Sequence, residues 1–342
     1  MKPIVITMGD PSGISAEIIL KTWLDRKKEI LHPFFIVDCE KRIKRIIKFL
    51  DLDINTKVIN NPFESKSIFK NYLPIFKLKQ EVSSELGKPS SDNAKQILES
   101  LNTSINLVYE KKACALVTSP LSKEILLKSG FKYFGQTEFI ARTLEKKTNK
   151  RFEEIMILST TKPDDNGSNL KVGLVTTHIP ISKIKENISK KKIIEKIHSF
   201  HSSLENLWGI KNPKIGICGI NPHCGENGLT GSEEKKIISP IINSLKKKYS
   251  VCGPLSADTC FSKYKRKLYD GIIAIYHDQG LIPIKTIDFF NSVNITGGIP
   301  IVRTSPDHGP AFDIAKSNKA SNKSFIAAIK LASKISTEND KI

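Results

Sequence analysis

The sequence lacks the features that would assign it to several common classes of protein. No stretch approaches the roughly 18 consecutive apolar residues that a membrane-spanning helix needs. The N-terminus leads directly into KPIVITMGD, which does not have the layout of a signal peptide. We therefore expect a soluble, cytoplasmic protein. The six cysteines show no CxxC spacing and lie mostly inside apolar runs, so we expect reduced thiols and no disulfides. They are Cys39, Cys114, Cys218, Cys224, Cys252 and Cys260.

Sequence repeats and the common nucleotide-binding motifs are also missing. Neither the opening GDPSGIS nor any other stretch matches GxGxxG or the Walker A loop, so a nucleotide would have to be bound in another way. We find no internal repeat or low-complexity segment. The 342 residues, 39% of them hydrophobic, are enough for a sizeable core and for two subdomains.

Positive charge is the one strong excess, at +19 from 54 Lys and Arg against 35 Asp and Glu. Such a balance raises the hypothesis of a nucleic-acid-binding protein. However, the lysines are spread in short runs such as SKKKIIEKI and SLKKKYS, which are typical of solvated helix faces. No aromatic-rich sheet motif or helix-turn-helix pattern accompanies the charge, so nucleic-acid binding is not favoured. An anionic small-molecule substrate is compatible with the same charge.

Short β-branched runs alternate with longer amphipathic segments along the chain. This alternation predicts an α/β fold with a largely parallel sheet, in which ligands bind beyond the carboxyl ends of the strands. Residues 161–169, TKPDDNGSN, are typical of an exposed hairpin or connection. The predicted strands are PIVITM, FFIVD, ACALVTS, EIMILST, LKVGLVTTH, PKIGICGI and GIIAIYH, and the predicted helices include 92–110 and 183–207.

Three of the seven histidines, His178, His223 and His277, come just after apolar strands. A single strand-end histidine is more often a hydrogen-bonded structural residue. Three neutral imidazoles that converge from three strand ends instead predict a divalent metal site with open positions for a substrate. Cys224 is a possible extra ligand, although a packed thiol is the simpler interpretation.

Two aspartates near these histidines, Asp258 and Asp278, are candidates for orienting an imidazole or holding a proton. Asp258 lies in SADT, which is also good helix-capping chemistry, so a purely structural role is the alternative.

Several polar residues suit a phosphorylated, carboxylate-bearing substrate. Thr137 in GQTEF precedes an apolar helix, where it could hold an anion or simply cap the helix. Lys285, Asn294 and Arg303 add a flexible cation, an amide and a guanidinium fork, although each alone would be an ordinary surface residue.

Taken together, ordered blocks across nearly the whole chain resemble the PdxA family, the 4-hydroxythreonine-4-phosphate dehydrogenases of vitamin B6 biosynthesis. The resemblance implies an isocitrate/isopropylmalate-dehydrogenase-like fold of two α/β/α subdomains, with an active site in the interdomain cleft at a homodimer interface. The blocks are ITMGDPSGISAEI, VTSPLSKEIL, GQTEFIA, TTHIPI, GINPHCGENGLTGSEE, GPLSADTCF, YHDQGLIPIK and VNITGGIPIVRTSPDHGPAFDIA.

The resemblance also implies an activity. It is the NAD-dependent oxidation of 4-phosphohydroxy-L-threonine to 2-amino-3-oxo-4-phosphooxybutanoate, which decarboxylates to 3-amino-2-oxopropyl phosphate. His178, His223 and His277 match the ligands of one divalent metal such as Zn, Mg or Co, with His277 supplied by the partner subunit. The substrate contacts are matched by Thr137, Lys285, Asn294 and Arg303, and we expect Lys285 or Asp278 to move the proton.

The segment SPDHGPAFDIA resembles the adenosine-binding loop HGSAPDIAG of isocitrate-type dehydrogenases. By this likeness His308, Gly309 and Asp313 would bind NAD or NADP, although His308 could instead cap a turn. We expect residues 1–140 together with 280–342 to form the cofactor-side subdomain, and residues 141–279 to form the metal-binding and dimerisation subdomain.

One departure from the family pattern affects substrate choice. Gln136 stands where the family usually has the histidine of GHTEF; it can donate a hydrogen bond to the substrate but cannot carry a charge. This keeps open a related dehydrogenase of another 4-phosphorylated hydroxy acid, such as D-threonate 4-phosphate or D-erythronate 4-phosphate. A basic nucleic-acid-binding or scaffold protein on an inactive dehydrogenase fold is the alternative of a different class.

Overall fold

The computed structural model describes residues 2–133 and 135–339, which fall into two compact units. Within that range, unit 1 comprises the residues up to 150 and those from 300 onward, and unit 2 comprises residues 151–299. The predicted subdomains met at 140/141 and 279/280 and included residues 1, 134 and 340–342, which lie outside the described range. The cofactor and metal roles assigned to the two subdomains stay predictions.

Strands and helices alternate through both units. The strands are β1 (Ile4–Thr7), β2 (Phe34–Asp38), β3 (Thr56–Ile59), β4 (Leu73–Lys77), β5 (Ala115–Val117), β6 (Ile155–Ser159), β7 (Lys171–Leu174), β8 (Ile215–Cys218), β9 (Val251–Leu255), β10 (Gly271–Ala274), β11 (Val293–Gly297) and β12 (Arg303–Pro306). The helices are α1 (Ser15–Leu24), α2 (Glu40–Phe49), α3 (Glu64–Ile68), α4 (Ala94–Tyr109), α5 (Lys123–Lys128), α6 (Gln136–Thr148), α7 (Ile184–Asn187), α8 (Lys190–Trp208), α9 (Ser239–Leu245), α10 (Ala257–Cys260), α11 (Lys263–Arg266), α12 (His277–Ile287) and α13 (Lys323–Asn339).

The six strands of unit 1 lie in the order β3-β4-β2-β1-β5-β12, and each described ladder between them is parallel. β1 and β2 are buried at every position, which explains why they are apolar except for their last residues, Thr7 and Asp38, since a parallel strand covered on both faces needs no polar face. Helix α4 packs against β1, β2 and β5, and α13 packs mainly against β12 and β5. The carboxyl ends of β1 and β5 therefore meet at the same edge.

The six strands of unit 2 lie in the order β11-β6-β7-β10-β8-β9. β6 pairs antiparallel with both β7 and β11, whereas β7, β10, β8 and β9 are parallel neighbours. The segment 161–169 joins β6 to β7 and is therefore the predicted hairpin connection. Helices α8 and α12 pack against this sheet. Its core includes Leu158, Val172, Leu174, Cys218, Ile272 and Ile284.

The predicted α/β class is confirmed, and every predicted strand segment contains an observed strand. The sequence did not predict β3, β4, β9, β11 or β12, because these are short runs with prolines, glycines or polar residues that only their neighbours hold extended. All six cysteines are free. Among the described residues, no helix is both long and apolar enough to cross a membrane.

Candidate active site

The imidazoles of His178 and His277 lie side by side in unit 2. His178 follows β7, and His277 is the first residue of α12, directly after β10. Because β7 and β10 are parallel neighbours, with Ile272 opposite Val172, their carboxyl ends bring the two histidines to one edge of the sheet. The ring centroids are 5.3 Å apart and the ring planes are tilted by 44°.

A carboxylate next to this pair orients one of the rings. Asp278 Oδ1 lies 2.6 Å from His277 Nδ1, and the aspartate side chain is 62% exposed. Since an ionised carboxylate can only accept, Nδ1 must donate, which leaves Nε2 of a neutral imidazole with its lone pair available. This is the arrangement in which a histidine binds a metal ion through Nε2.

The donor set fits a divalent metal in kind, and the spacing of His178 and His277 fits two of its ligand positions. The predicted third ligand, His223, is not part of this pair. Within residues 2–133 and 135–339, no group of three or more His, Cys, Asp or Glu side chains is arranged to hold a metal ion. The part of one chain that the structure describes therefore does not complete the predicted three-histidine set.

His223 lies in an unusual backbone turn after β8. Residues 223–227 all have left-handed φ angles, of 49°, 57°, 78°, 45° and 60° in chain order. Four of the five are not glycine, and the left-handed conformation costs an L-residue roughly 1–2 kcal/mol. Such a run persists only when the surrounding structure imposes it. The exposed imidazole of His223 is thus held by a strained segment.

Asp258 lies close to His223, at the carboxyl end of β9, the strand next to β8. Its Oδ1 accepts a hydrogen bond of 2.6 Å from Ser256 Oγ. That bond is the main reason why the pKa of Asp258 lies below its ordinary value, and the nearby imidazole of His223 makes a smaller contribution in the same direction. Burial raises the pKa of the neighbouring Cys224 thiol, which makes it a poorer metal ligand at neutral pH.

Lys285 lies on the same helix as His277, and Asn294 lies on β11, which β6 separates from β7. Lys285 is in the last turn of α12, and its Nζ donates to Ser292 Oγ at 3.3 Å. Asn294 lies on β11, where its Oδ1 is buried and accepts no hydrogen bond from the described residues. A buried amide oxygen in that state needs an outside donor such as a ligand or water.

Arg303 and Gln136 contact consecutive residues that follow β5 in unit 1. Arg303 is 3% exposed, and its Nε and Nη2 donate to Thr118 Oγ1 at 3.1 and 2.7 Å. Burial lowers the pKa of Arg303 to about 10, so the side chain is still charged at neutral pH. Gln136, the first residue of α6, donates from Nε2 to the Ser119 carbonyl at 3.3 Å, and Thr137 follows it in the helix.

The predicted cofactor segment is an exposed loop of unit 1 that packs against the loop after β1. His308, Gly309 and Asp313 are all exposed. Pro310 O accepts a hydrogen bond of 2.9 Å from the N–H of Ile14, and a Cβ on Gly13 would lie 2.5 Å from that oxygen. No atom lies within 4 Å of the place where a Cβ on Gly309 would be. An exposed ring, an open glycine and an exposed carboxylate fit a nicotinamide dinucleotide in kind.

Three residues that contact the candidate side chains within their own units were not identified from the sequence. Thr118 and Ser119 anchor Arg303 and Gln136, and the TSP that ends β5 was a usable signal for them. Ser292 contacts Lys285, but an isolated serine in a loop gives no sequence signal.

The chain is similar to known proteins over almost its full length. A family model described as pyridoxal phosphate biosynthetic protein PdxA matches residues 29–332. The 4-hydroxythreonine-4-phosphate dehydrogenase of Zymomonas mobilis is 38% identical over 333 residues, which cover 97% of this chain and 95% of the relative. The enzyme of the same name from Sulfurihydrogenibium sp. is also 38% identical over 333 residues, with 97% and 98% covered. The crystal structure of the Klebsiella pneumoniae enzyme of that name has a TM-score of 0.83 at 33% identity and covers 98% of this chain and 100% of its own.

An α/β oxidoreductase is the class that these likenesses and the fold define. Its predicted functional side chains lie largely beyond the carboxyl ends of strands, as ligand-binding residues do in such sheets. The chain belongs to the PdxA family of pyridoxal phosphate biosynthetic proteins, and the resemblance seen in its sequence blocks is confirmed.

Proposed function

We propose that this protein oxidises 4-phosphohydroxy-L-threonine with NAD, or with NADP, in a reaction that depends on a divalent metal. The product, 2-amino-3-oxo-4-phosphooxybutanoate, then loses carbon dioxide to give 3-amino-2-oxopropyl phosphate. The observation that carries the proposal is the His178–His277 pair with its Asp278 partner, in a chain whose curated relatives are named as dehydrogenases of this substrate.

The metal, which we expect to be Zn, Mg or Co, would be held by His178, His223 and His277. When bound, it supplies a Lewis acid that lowers the pKa of a substrate hydroxyl and stabilises negative charge on oxygen. Asp278 keeps the His277 ring oriented and, in the neutral imidazole, holds the proton on Nδ1, so that Nε2 is the nitrogen that can bind the metal. We expect Asp258, whose pKa the His223 imidazole helps to lower, to do the same for His223.

The substrate's anionic groups have candidate partners in the charged and amide side chains. The guanidinium of Arg303, oriented by Thr118, suits a phosphate or carboxylate because its donors form a planar fork. Gln136 and Thr137 stand in the first turn of α6, where backbone N–H groups also favour an anion. Asn294 offers its unpaired Oδ1 as an acceptor for a substrate hydroxyl or ammonium group.

Two residues are candidates for moving the protons of the reaction. The Lys285 ammonium, hydrogen-bonded to Ser292, can give a proton to the carbon left by decarboxylation. Asp278 is the alternative, since its exposed carboxylate already accepts a hydrogen bond from His277 Nδ1. A Lys285→Ala variant with unchanged rate and pH profile would exclude Lys285, and the same result for Asp278→Ala would exclude Asp278.

The dinucleotide would lie against the loop that contains His308, Gly309 and Asp313. The exposed His308 ring can stack on adenine, and Gly309 lets the backbone approach the cofactor because no Cβ is in the way. The Asp313 carboxylate can accept hydrogen bonds from a ribose hydroxyl.

We further propose a homodimer in which each metal site is shared between two copies of the chain. The family resemblance assigns His277 to the partner, whereas the closeness of His178 and His277 in one chain favours His223 as the residue that the partner supplies. Co-expression of differently tagged inactive subunits distinguishes the two arrangements. Mixed dimers of His178→Ala and His223→Ala should regain one intact site, and mixed dimers of His178→Ala and His277→Ala should stay inactive. The reverse pattern would mean that His277 comes from the partner.

NADH formation by the purified protein tests the proposed reaction directly. The assay uses 4-phosphohydroxy-L-threonine and D-threonate 4-phosphate separately, each with added divalent metal and again after chelation. We expect metal-dependent turnover of the first substrate. Absence of NADH with both substrates, in protein shown to be folded and loaded with metal, would contradict the proposal.

A second candidate is a dehydrogenase of D-threonate 4-phosphate or D-erythronate 4-phosphate. The observation that favours it is Gln136, whose neutral amide replaces a chargeable histidine of the family pattern. Turnover of D-threonate 4-phosphate alone would establish this alternative and make Gln136 the first residue to examine for substrate choice.

A further inference from the structure

A buried carboxylate lies directly beneath the left-handed turn that carries His223. Glu234 is 3% exposed and begins a short helical segment, Glu234–Ile238, that leads into α9. Its Oε1 accepts hydrogen bonds of 2.7 Å from the backbone N–H groups of Ile220 and Asn221. Its Oε2 accepts a third, of 2.9 Å, from the side-chain amide of Asn221. Glu234 therefore holds the two residues that lead into the turn.

The same carboxylate also packs against the turn itself. A Cβ on Gly225 would lie 2.8 Å from Glu234 Oε2 and 2.5 Å from Gly231 O, so only glycine fits at that point. Gly225 is the buried residue of the turn, and its φ is +78°. The Glu234 carboxylate thus packs against the turn at Gly225, the one residue among 223–227 that has no side chain.

A second carboxylate holds Asn221 from the other side. Glu233 Oε2 accepts a hydrogen bond of 2.9 Å from Asn221 Nδ2, and Glu233 Oε1 lies 2.9 Å from Lys185 Nζ. These two interactions are the main reason why the pKa of Glu233 is lowered to about 2. Asn221 is consequently clamped between two carboxylates immediately before the strained residues begin.

A buried carboxylate that binds backbone N–H groups could serve stability alone. Here, however, the backbone donors lie two and three residues before His223, and the segment that follows adopts a conformation that non-glycine residues disfavour. We infer that Glu234 is a positioning residue, which imposes the left-handed turn and so sets where the imidazole of His223 is presented. This inference rests on the proposed role of His223 as a metal ligand.

The test compares Glu234→Gln with Glu226→Gln. Glu226 belongs to the turn but is exposed, so its substitution removes the same charge without removing the support. Two properties are measured besides activity: hydrogen–deuterium exchange of residues 219–231 in metal-free protein, and the affinity for Co²⁺ by titration. For Glu234→Gln we expect faster exchange in that segment, Co²⁺ binding weakened by about tenfold or more, and an unchanged KM for NAD. For Glu226→Gln we expect wild-type values.

The Asn221→Ser substitution should weaken the support of the turn less than Glu234→Gln does. It removes the amide that bridges the two carboxylates and keeps both backbone hydrogen bonds to Glu234, so a smaller loss of Co²⁺ affinity is expected. This variant keeps the test decisive if Glu234→Gln does not fold.

Co²⁺ affinity decides the outcome. If the wild type binds Co²⁺ and forms NADH, and the variants bind Co²⁺ equally well, the inference is overturned even where exchange becomes faster. If the wild type neither binds Co²⁺ nor forms NADH, the proposed function fails, and the inference falls with it. The wild-type measurements tell these two failures apart.

Discussion

The imidazoles of His178 and His277 are neighbours within a single chain, with ring centroids 5.3 Å apart. They are 99 positions apart in the sequence and meet because β7 and β10 are parallel neighbours. Asp278 then holds one ring of the pair, through a contact of 2.6 Å. Such a pair can supply two ligands of a metal site that a third ligand completes.

Removing the charge of Asp278 should weaken metal binding. Asp278→Asn loses the carboxylate that orients His277, so we expect the affinity for Zn²⁺ to fall by about 10- to 100-fold, as for other partners of metal-binding histidines. Isothermal titration of metal-free protein measures the affinity. Asp53→Asn, an equal charge change at an exposed site of unit 1, is the control. Equal affinity of Asp278→Asn and wild type would show that the contact does not serve metal binding.

Replacing Gln136 should affect substrate use. Gln136→Ala loses the side-chain amide that we propose contacts the substrate; one neutral hydrogen bond is worth about 0.5–1.5 kcal/mol, so kcat/KM for the phosphorylated substrate should fall by about 2- to 12-fold. Gln136→His should regain affinity at pH values below about 6.5, where the imidazole is charged. Steady-state kinetics across pH measure both effects.

Gln96→Ala is the matched control for this experiment. Gln96 also donates its side-chain amide to a backbone carbonyl, that of Glu81, but on an exposed part of unit 1. If both alanine variants lower kcat/KM equally, the effect of Gln136 is structural and not specific to the substrate.

The ion pair of Asp165 with Arg266 should make stability depend on pH. Arg266 binds both carboxylate oxygens and lowers the pKa of Asp165 from 3.8 to about 2. An acid whose folded pKa is depressed contributes stability above its unfolded pKa and loses it as the pH falls through the folded value. Urea midpoints of wild type and Asp165→Asn should therefore differ most near neutral pH, and the difference should shrink as the pH falls from about 4 to about 2.

The neighbouring Asp164 is exposed and supplies the control for this pH series. Asp164→Asn changes the same charge in the same hairpin, and its urea midpoint should follow that of the wild type at every pH. A difference between wild type and Asp165→Asn that stays constant down to pH 2 would contradict the prediction.

The ion pair of Asp38 with Arg42 is fully buried, with both side chains 0% exposed and Nη1 2.6 Å from Oδ2. Burial raises the pKa of Asp38, and Arg42 opposes that shift. Arg42→Met leaves a buried carboxylate without its cation, so we expect a loss of about 3–5 kcal/mol in the free energy of unfolding. The loss should be smaller at low pH, where Asp38 can be protonated.

A double substitution separates the pair from its surroundings. Asp38→Leu with Arg42→Met replaces both charges by apolar groups and should be less destabilising than Arg42→Met alone. Urea unfolding at several pH values measures both variants. If the double variant is the less stable of the two, the cost lies in packing and not in the unpaired charge.

Much of the fold could be predicted because the hydrophobicity of a segment indicates whether that segment is buried. The continuous apolar runs of β1, β2 and β10 marked strands covered on both faces, and the polar residues after them marked one sheet edge. β11 and β12 were not predicted, because VNITG and RTSP are extended only through pairing with neighbouring strands.

The residue types of the candidate site could be predicted from the sequence, but which of those side chains lie next to each other could not. The sequence identified His178, His223 and His277 as strand-end imidazoles, and the structure brings only the first and third together. Spacing along the chain could not distinguish these cases, because adjacency depends on strand order and on the path of each loop. The support that Glu234 gives to the turn of His223 could not be predicted from the sequence either. It depends on the side chain of a residue eleven positions after His223.

By itself, the sequence determined the α/β class, the family and the chemical types available at the strand ends. These follow from local properties, namely apolar periodicity, turn residues and the ordered blocks shared with the family. Only the tertiary structure decided that His178 pairs with His277, that Arg303 and Gln136 contact consecutive residues after β5, and that His223 lies in a left-handed turn. The physical reason is that each depends on contacts between residues far apart in the chain, and packing imposes a strained backbone such as that of His223 against its local preference.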